Sequence, residues 1–213
     1  MGNFSREHFI KIMKKSIFDI DFQNSDTPSK IVVGLERLSE AFRVLLWEHA
    51  KVIGLSPIQI QILIFIAFHD ESICNVSHLA QEFNLTKPTI SDAVRILDKK
   101  GLIAKITSPI DKRAYSISLS KEGKAIVKKT QHFAQPIYAL TNQIDPLEQE
   151  QFFKTLSKII YGLNQKGILS VQRICHNCRF FGKKGKENYC NLIEKILLDK
   201  DIRLDCGEFE NVI

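Results

Sequence analysis

Apolar residues recur at the three- and four-residue spacing of a helix through the first part of the chain, and breaks in that rhythm mark the elements. Phe9, Ile12, Met13, Ile17 and Ile20 make one helix-like segment, which the polar run Gln23-Asn24-Ser25-Asp26-Thr27-Pro28 interrupts. Residues 1–30 are therefore expected to form an N-terminal helical extension. From Ile31 to Ile53, the positions Val32, Leu35, Leu38, Phe42, Leu45, Leu46 and Val52 predict one long helix, with Gly54 as its stop. Ser56-Pro57 opens another, a hydroxyl cap followed by proline in the first turn, and its body from Ile58 to Phe68 is so apolar that it must be largely buried. Two short helices follow, Asn75–Phe83 and Thr86–Lys100, joined by a turn at Asn84-Leu85 and closed by Gly101. The period then changes. Leu102–Thr107 alternates loosely, Ser108-Pro109-Ile110-Asp111 supplies turn chemistry, and Arg113–Leu119 alternates through Tyr115, Ile117 and Leu119, which predicts a β-hairpin. Helical rhythm resumes from Lys121 to about Leu163, with a break expected at Asp145-Pro146 and an end at Gly167.

The helix over Thr86–Lys100 has two unlike faces. With Ile90 pointing inward, steps of about 100° per residue put Val94 and Leu97 on the same side. The opposite side carries Pro88, Asp92, Arg95 and Lys99, flanked by Thr89 and Ser91. Short side chains there let the backbone approach a major groove, hydroxyls and Arg suit base edges, and Lys suits phosphates. The hairpin tip adds Lys112 and Arg113, and an extended Arg on a loop can enter the narrow minor groove beside the helix. Asp111 is expected to pair with Arg113 and hold its guanidinium. The candidate DNA contacts are thus Lys87, Pro88, Thr89, Ser91, Asp92, Arg95, Lys99, Asp111, Lys112 and Arg113. A formal charge of +6 agrees with a polyanionic partner without choosing among polyanions.

Several stretches resemble the MarR-type winged-helix transcriptional regulators. They are Leu79-Ala80, Leu85-Thr86-Lys87-Pro88-Thr89-Ile90-Ser91, Leu97-Asp98-Lys99-Lys100-Gly101-Leu102-Ile103, Ser108-Pro109-Ile110-Asp111-Lys112-Arg113, and Ser118-Leu119-Ser120-Lys121-Glu122-Gly123. The resemblance spans roughly residues 33–165. It implies a winged helix-turn-helix, a homodimer built by the terminal helices, recognition helices ~34 Å apart in successive major grooves, and ligand-controlled repression by a small-molecule or redox effector. The N-terminal arm and everything after Gly167 lie outside the usual length of that family. Dimerisation also has support from the residues themselves. Phe42, Leu46, the segment from Phe133 to Leu140 and that from Phe152 to Ile160 offer more apolar surface than one small domain can cover.

The last part of the chain has a different chemistry. Of the five cysteines, Cys175, Cys178, Cys190 and Cys206 crowd into the final 39 residues, at gaps of two, eleven and fifteen. That distribution suits a local four-thiolate metal site rather than a disulfide framework, with Cys175-His176-Asn177-Cys178 as the knuckle. Zinc is the expected ion, with a [4Fe–4S] cluster as the alternative, since both accept four thiolates. Phe180, Phe181, Tyr189, Leu192, Ile193, Ile196, Leu197, Leu198 and Phe209 are the expected core of this segment. His176 is expected as an exposed neighbour of the site, and Cys74 as a small core or loop residue.

The expected architecture is mainly α with a small β-hairpin wing: an N-terminal extension (1–30), a winged helix-turn-helix with long dimerisation helices (31–167), and a metal-binding module (168–213). A hydrophobic fraction of 44% with 25% charged residues is ordinary for a globular chain and excludes wholesale disorder. The N-terminus lacks a continuous apolar centre, and no stretch reaches the ~20 apolar residues of a membrane span, so a cytoplasmic protein without a membrane partner is expected. With no phosphate-cradling glycine loop, His-Glu metal helix or nucleophile elbow, the chain is not expected to be an enzyme. A sequence-specific regulator that binds double-stranded DNA, as a repressor, is the leading expectation. The alternatives are a redox, iron-sensing or electron-transfer protein whose active part is the cysteine cluster, and a winged helix that docks a protein.

Overall fold

Helix boundaries follow the capping chemistry. In the computed structural model, which describes residues 16–107, 115–170 and 173–211, Asp26 caps a long helix and Ser56 caps the next. The Ser56 hydroxyl accepts the Gln59 N–H while the Gln59 side chain accepts the Ser56 N–H, a reciprocal pair. The helices are α1 (Ile20–Ser25), α2 (Thr27–Ile53), α3 (Pro57–Phe68), α4 (Val76–Glu82), α5 (Lys87–Lys99), α6 (Lys121–Thr130), α7 (Gln135–Thr141) and α8 (Pro146–Gln165). Gly54, Gly101 and Gly167 stop their helices in the left-handed conformation.

The core gathers around α3, whose Ile60, Ile62 and Leu63 are fully buried, and receives Leu79 from α4, Ile90, Val94 and Leu97 from α5, and Ile117 from the hairpin. That hairpin pairs β1 (Ile103–Thr107) with β2 (Tyr115–Leu119) in antiparallel register, Ile103 opposite Leu119 and Thr107 opposite Tyr115. β2 is anchored inward as well, because the Ile117 N–H donates to the Cys74 carbonyl at 2.7 Å. Cys74 is a core residue, 1% exposed, and burial pushes its thiol up to about 11, so it stays neutral.

Four expectations are corrected. The polar run at residues 23–28 separates α1 from α2 at Asp26 alone, so the long helix starts at Thr27 instead of Ile31. The segment after Lys121 breaks at residues 131–134 as well as at Asp145, because Pro136 lacks the N–H that a continuing helix would need. Leu46 is buried in the core, whereas Phe42 faces outward. In the tail, β3 (Phe181–Lys184), β4 (Glu187–Cys190) and β5 (Lys195–Leu197) form a three-stranded antiparallel sheet. Its buried residues are Ile174, Leu197 and Ile202, with Phe153 of α8 packed against them, while Leu192, Ile193, Ile196 and Leu198 are exposed.

Candidate functional site

The α4–turn–α5 unit is rigid because both helices are tied at their starts and pinned from below. The Asn75 side chain accepts the His78 N–H, and the Thr86 hydroxyl accepts the Thr89 N–H. Asn84, at φ 53°, makes the turn between them, a conformation that Asn tolerates better than most residues. On α5, Ile90, Ala93, Val94 and Leu97 are buried. Lys87, Pro88, Thr89, Ser91, Asp92, Arg95 and Lys99 are all exposed on the other side, as the spacing predicts. The Arg95 guanidinium donates to the Asp92 carboxylate at 3.1 Å along this face. Lys100 and Lys105 are committed elsewhere, to the Gly54 carbonyl at 2.9 Å and to Asp98 at 2.7 Å. Asp111, Lys112 and Arg113 lie outside the described residues.

The four tail cysteines border a common space. Cys175, Cys178, Cys190 and Cys206 line one cavity with Phe180, Phe181 and Leu197, and none is in a disulfide. Cys175 sits in a 3-10 turn (Cys175–Asn177), Cys178 follows it, Cys190 ends β4, and Cys206 lies on the last loop. The Arg203 backbone N–H donates to Cys175 Sγ at 3.2 Å, and its guanidinium donates to Cys206 Sγ at 3.5 Å. Among the described residues, no three His, Cys, Asp or Glu side chains are already drawn together as a metal-holding group. His176 departs from expectation. It is half-buried between Tyr161 of α8 and Phe181, and its Nδ1 is buried without a partner.

A further cluster had no signal in the sequence. Arg173, 8% exposed, donates to Asp205 at 2.6 Å, to Glu82 at 2.8 Å and to His78 Nε2 at 3.1 Å. Asp205 also faces His69 Nε2 at 2.7 Å, while His69 Nδ1 donates to the Phe65 carbonyl. Burial alone would lower the pKa of Arg173, but Asp205 and Glu82 more than reverse that and hold it charged. His78, accepting from a guanidinium, is neutral; its pKa lies below the ordinary histidine value through burial first and Arg173 second. Its own partner at the end of α4, Glu82, is 3.8 Å away, too far for a hydrogen bond. Arg173 therefore clamps the cysteine segment onto the first helix of the helix-turn-helix. Asn84 adds a second tie, accepting from the Ser170 hydroxyl at 2.7 Å.

Residues 53–114 match the model of the MarR family. The chain is 25% identical over 146 residues to YhbI, an uncharacterized HTH-type transcriptional regulator of Bacillus subtilis (strain 168), across 64% of this chain and 95% of that protein. The crystal structure of the S. aureus MepR–DNA complex is similar with a TM-score of 0.55 at 22% identity, over 62% of this chain and 97% of that one. A MarR-family transcriptional regulator from Silicibacter pomeroyi gives a TM-score of 0.56 at 19% identity, over 66% of this chain and 94% of that one. The family match ends before the cysteine cavity begins. The helix-turn-helix with its hairpin thus has the winged-helix fold seen in these structures, and residues 53–114 match the model of the MarR family.

Proposed function

We propose that this chain is a sequence-specific DNA-binding transcriptional regulator that acts as a homodimer. α5 lies in the major groove, and the loop bearing Asp111, Lys112 and Arg113 reaches the neighbouring minor groove. The observation that carries this reading is the division of α5: a buried side fixed by Ile90, Val94 and Leu97, and an exposed side of Lys87, Pro88, Thr89, Ser91, Asp92, Arg95 and Lys99. A rigid polar edge with small residues at its N-terminal end is what close approach to base edges requires. The likeness to a regulator solved on DNA, S. aureus MepR, supports the same assignment. The reading needs no catalytic group and places the protein in the cytoplasm, with repression by occupancy of the operator as its mode of action. No single helix among the described residues is long and apolar enough to cross a membrane.

Selection of bound duplexes from a random pool tests the proposal. The protein is expected to enrich a two-fold symmetric sequence, with affinity that falls steeply as salt rises. Arg95→Ala should relax base preference at a defined position, at a cost of about 1–3 kcal/mol, whereas Lys99→Ala should weaken all duplexes alike and reduce the salt slope by about one. If both variants match the parent on selected and random DNA, α5 is not the reading element.

A further inference from the structure

We propose that the cavity lined by Cys175, Cys178, Cys190 and Cys206 is a four-thiolate metal site, and that filling it strengthens DNA binding through Asp205 and Arg173. The coupling half of this inference rests on the DNA-binding reading above; the site itself does not.

The case for the site begins with what holds the tail together. Three buried residues, Ile174, Leu197 and Ile202, are its own fully enclosed apolar content. Segments of this size need a staple beyond so small a core, and a bound metal is one. A disulfide is not used, since all four thiols are free. They arrive from four separate places in the segment yet line one cavity. Two N–H donors of Arg203 already point at the sulfurs of Cys175 and Cys206, as they would toward metal-bound thiolates. N–H donors on ligand sulfur are also among the groups that tune iron–sulfur centres.

Two centres take four thiolates, a zinc ion and a [4Fe–4S] cluster. In either case four thiol S–H bonds give way to four metal–sulfur bonds and four protons leave to solvent, with no change in oxidation state at the cysteines. The thiols line the cavity without yet converging as a metal-holding group. Binding must therefore draw them inward, and a single ion, with Zn–S bonds of about 2.3 Å, asks for more movement than the larger cluster.

Inward movement of Cys206 cannot leave the helix-turn-helix untouched. Its N–H donates to the Arg173 carbonyl at 3.1 Å, and the residue before it, Asp205, holds the Arg173 side chain. Arg173 reaches Glu82, the last residue of α4, immediately before the turn that sets the angle of α5. Metal occupancy thus fixes the clamp, and the clamp fixes the recognition unit.

The test uses the full chain purified anaerobically. Metal and sulfide content, visible absorption, and alkylation by iodoacetamide with and without chelator are measured, alongside affinity for a duplex selected by the parent protein. One zinc per chain and no colour identifies the ion; iron and sulfide with broad absorption near about 400 nm identifies the cluster. Either result, with four thiols that become alkylated only after chelation, supports the site. Metal below a tenth of an equivalent, both as purified and after Zn²⁺ is added to the reduced chain, overturns it. Chelated protein should bind the duplex about fivefold or more weakly than loaded protein. Asp205→Asn should keep its metal and lose that difference, and Cys74→Ser should behave as the parent in every assay. Equal affinity of loaded and chelated parent overturns the coupling. Failure of every form to bind any DNA overturns the DNA-binding reading, while the metal measurements still decide the site.

Discussion

Gly123 shows how much one position can carry. It sits in the first turn of α6, where its N–H donates to the Ser120 hydroxyl at 3.0 Å, and a Cβ there would overlap the backbone carbonyl of Leu102. That carbonyl also accepts the Ser120 N–H, and the Ser120 hydroxyl donates to the Gly101 carbonyl at 2.7 Å. The Ser-Lys-Glu-Gly stretch after the wing therefore pins α6 onto the end of α5, and the glycine is needed for close approach, not for a turn. Gly123→Ala is expected to destabilise the fold by about 1–3 kcal/mol, as overpacking does. Urea denaturation should show a lower midpoint with an unchanged slope; an unaltered midpoint would mean that the two backbones are not in contact in solution.

At the level of elements, the contact between the tail and α4 rests on a neutral His78 beside a charged Arg173. Arg173, Glu82, His69 and Asp205 are the charged or titratable groups that face the His78 ring. Because its pKa is depressed when the tail is docked, His78 takes up a proton more readily once the tail is released. The docked form binds fewer protons, so docking is at full strength above pH 6.5 and weakens as pH falls below that value. Limited proteolysis of residues 168–213 between pH 8 and pH 5 should show rising cleavage on the acid side, and His78→Gln should flatten the curve. A parent profile that is flat throughout would remove His78 from the docking equilibrium.

At the scale of the whole molecule, several large apolar side chains on the described helices stay uncovered. Val32, Leu38, Phe42 and Trp47 on α2, Leu140 on α7, and Leu147 and Phe152 on α8 are each at least 42% exposed. Exposed apolar surface of this kind suits an interface, and the homodimer proposed above would bury it and present two α5 helices to one duplex. Trp47→Glu is expected to shift the mass in sedimentation from dimer toward monomer and to weaken binding to a symmetric site by tenfold or more. A variant that stays dimeric with unchanged affinity would move the interface elsewhere.

The alternation of Tyr115, Ile117 and Leu119, the Ser56 cap, the stops at Gly54, Gly101 and Gly167, and the two faces of α5 were all legible along the chain, because capping and periodicity act over a few residues. The same local logic gathered four cysteines into one segment, though not the depth at which each would lie. Tertiary structure alone decided that Leu46 turns inward while its neighbour on the helix, Phe42, turns out, and that His176 wedges between α8 and the tail sheet. It also joined Arg173 to Glu82, 91 residues away, and to His78, 95 away. A pair so distant leaves no periodic trace, and its partners meet only after burial of separate helices has brought their ends together.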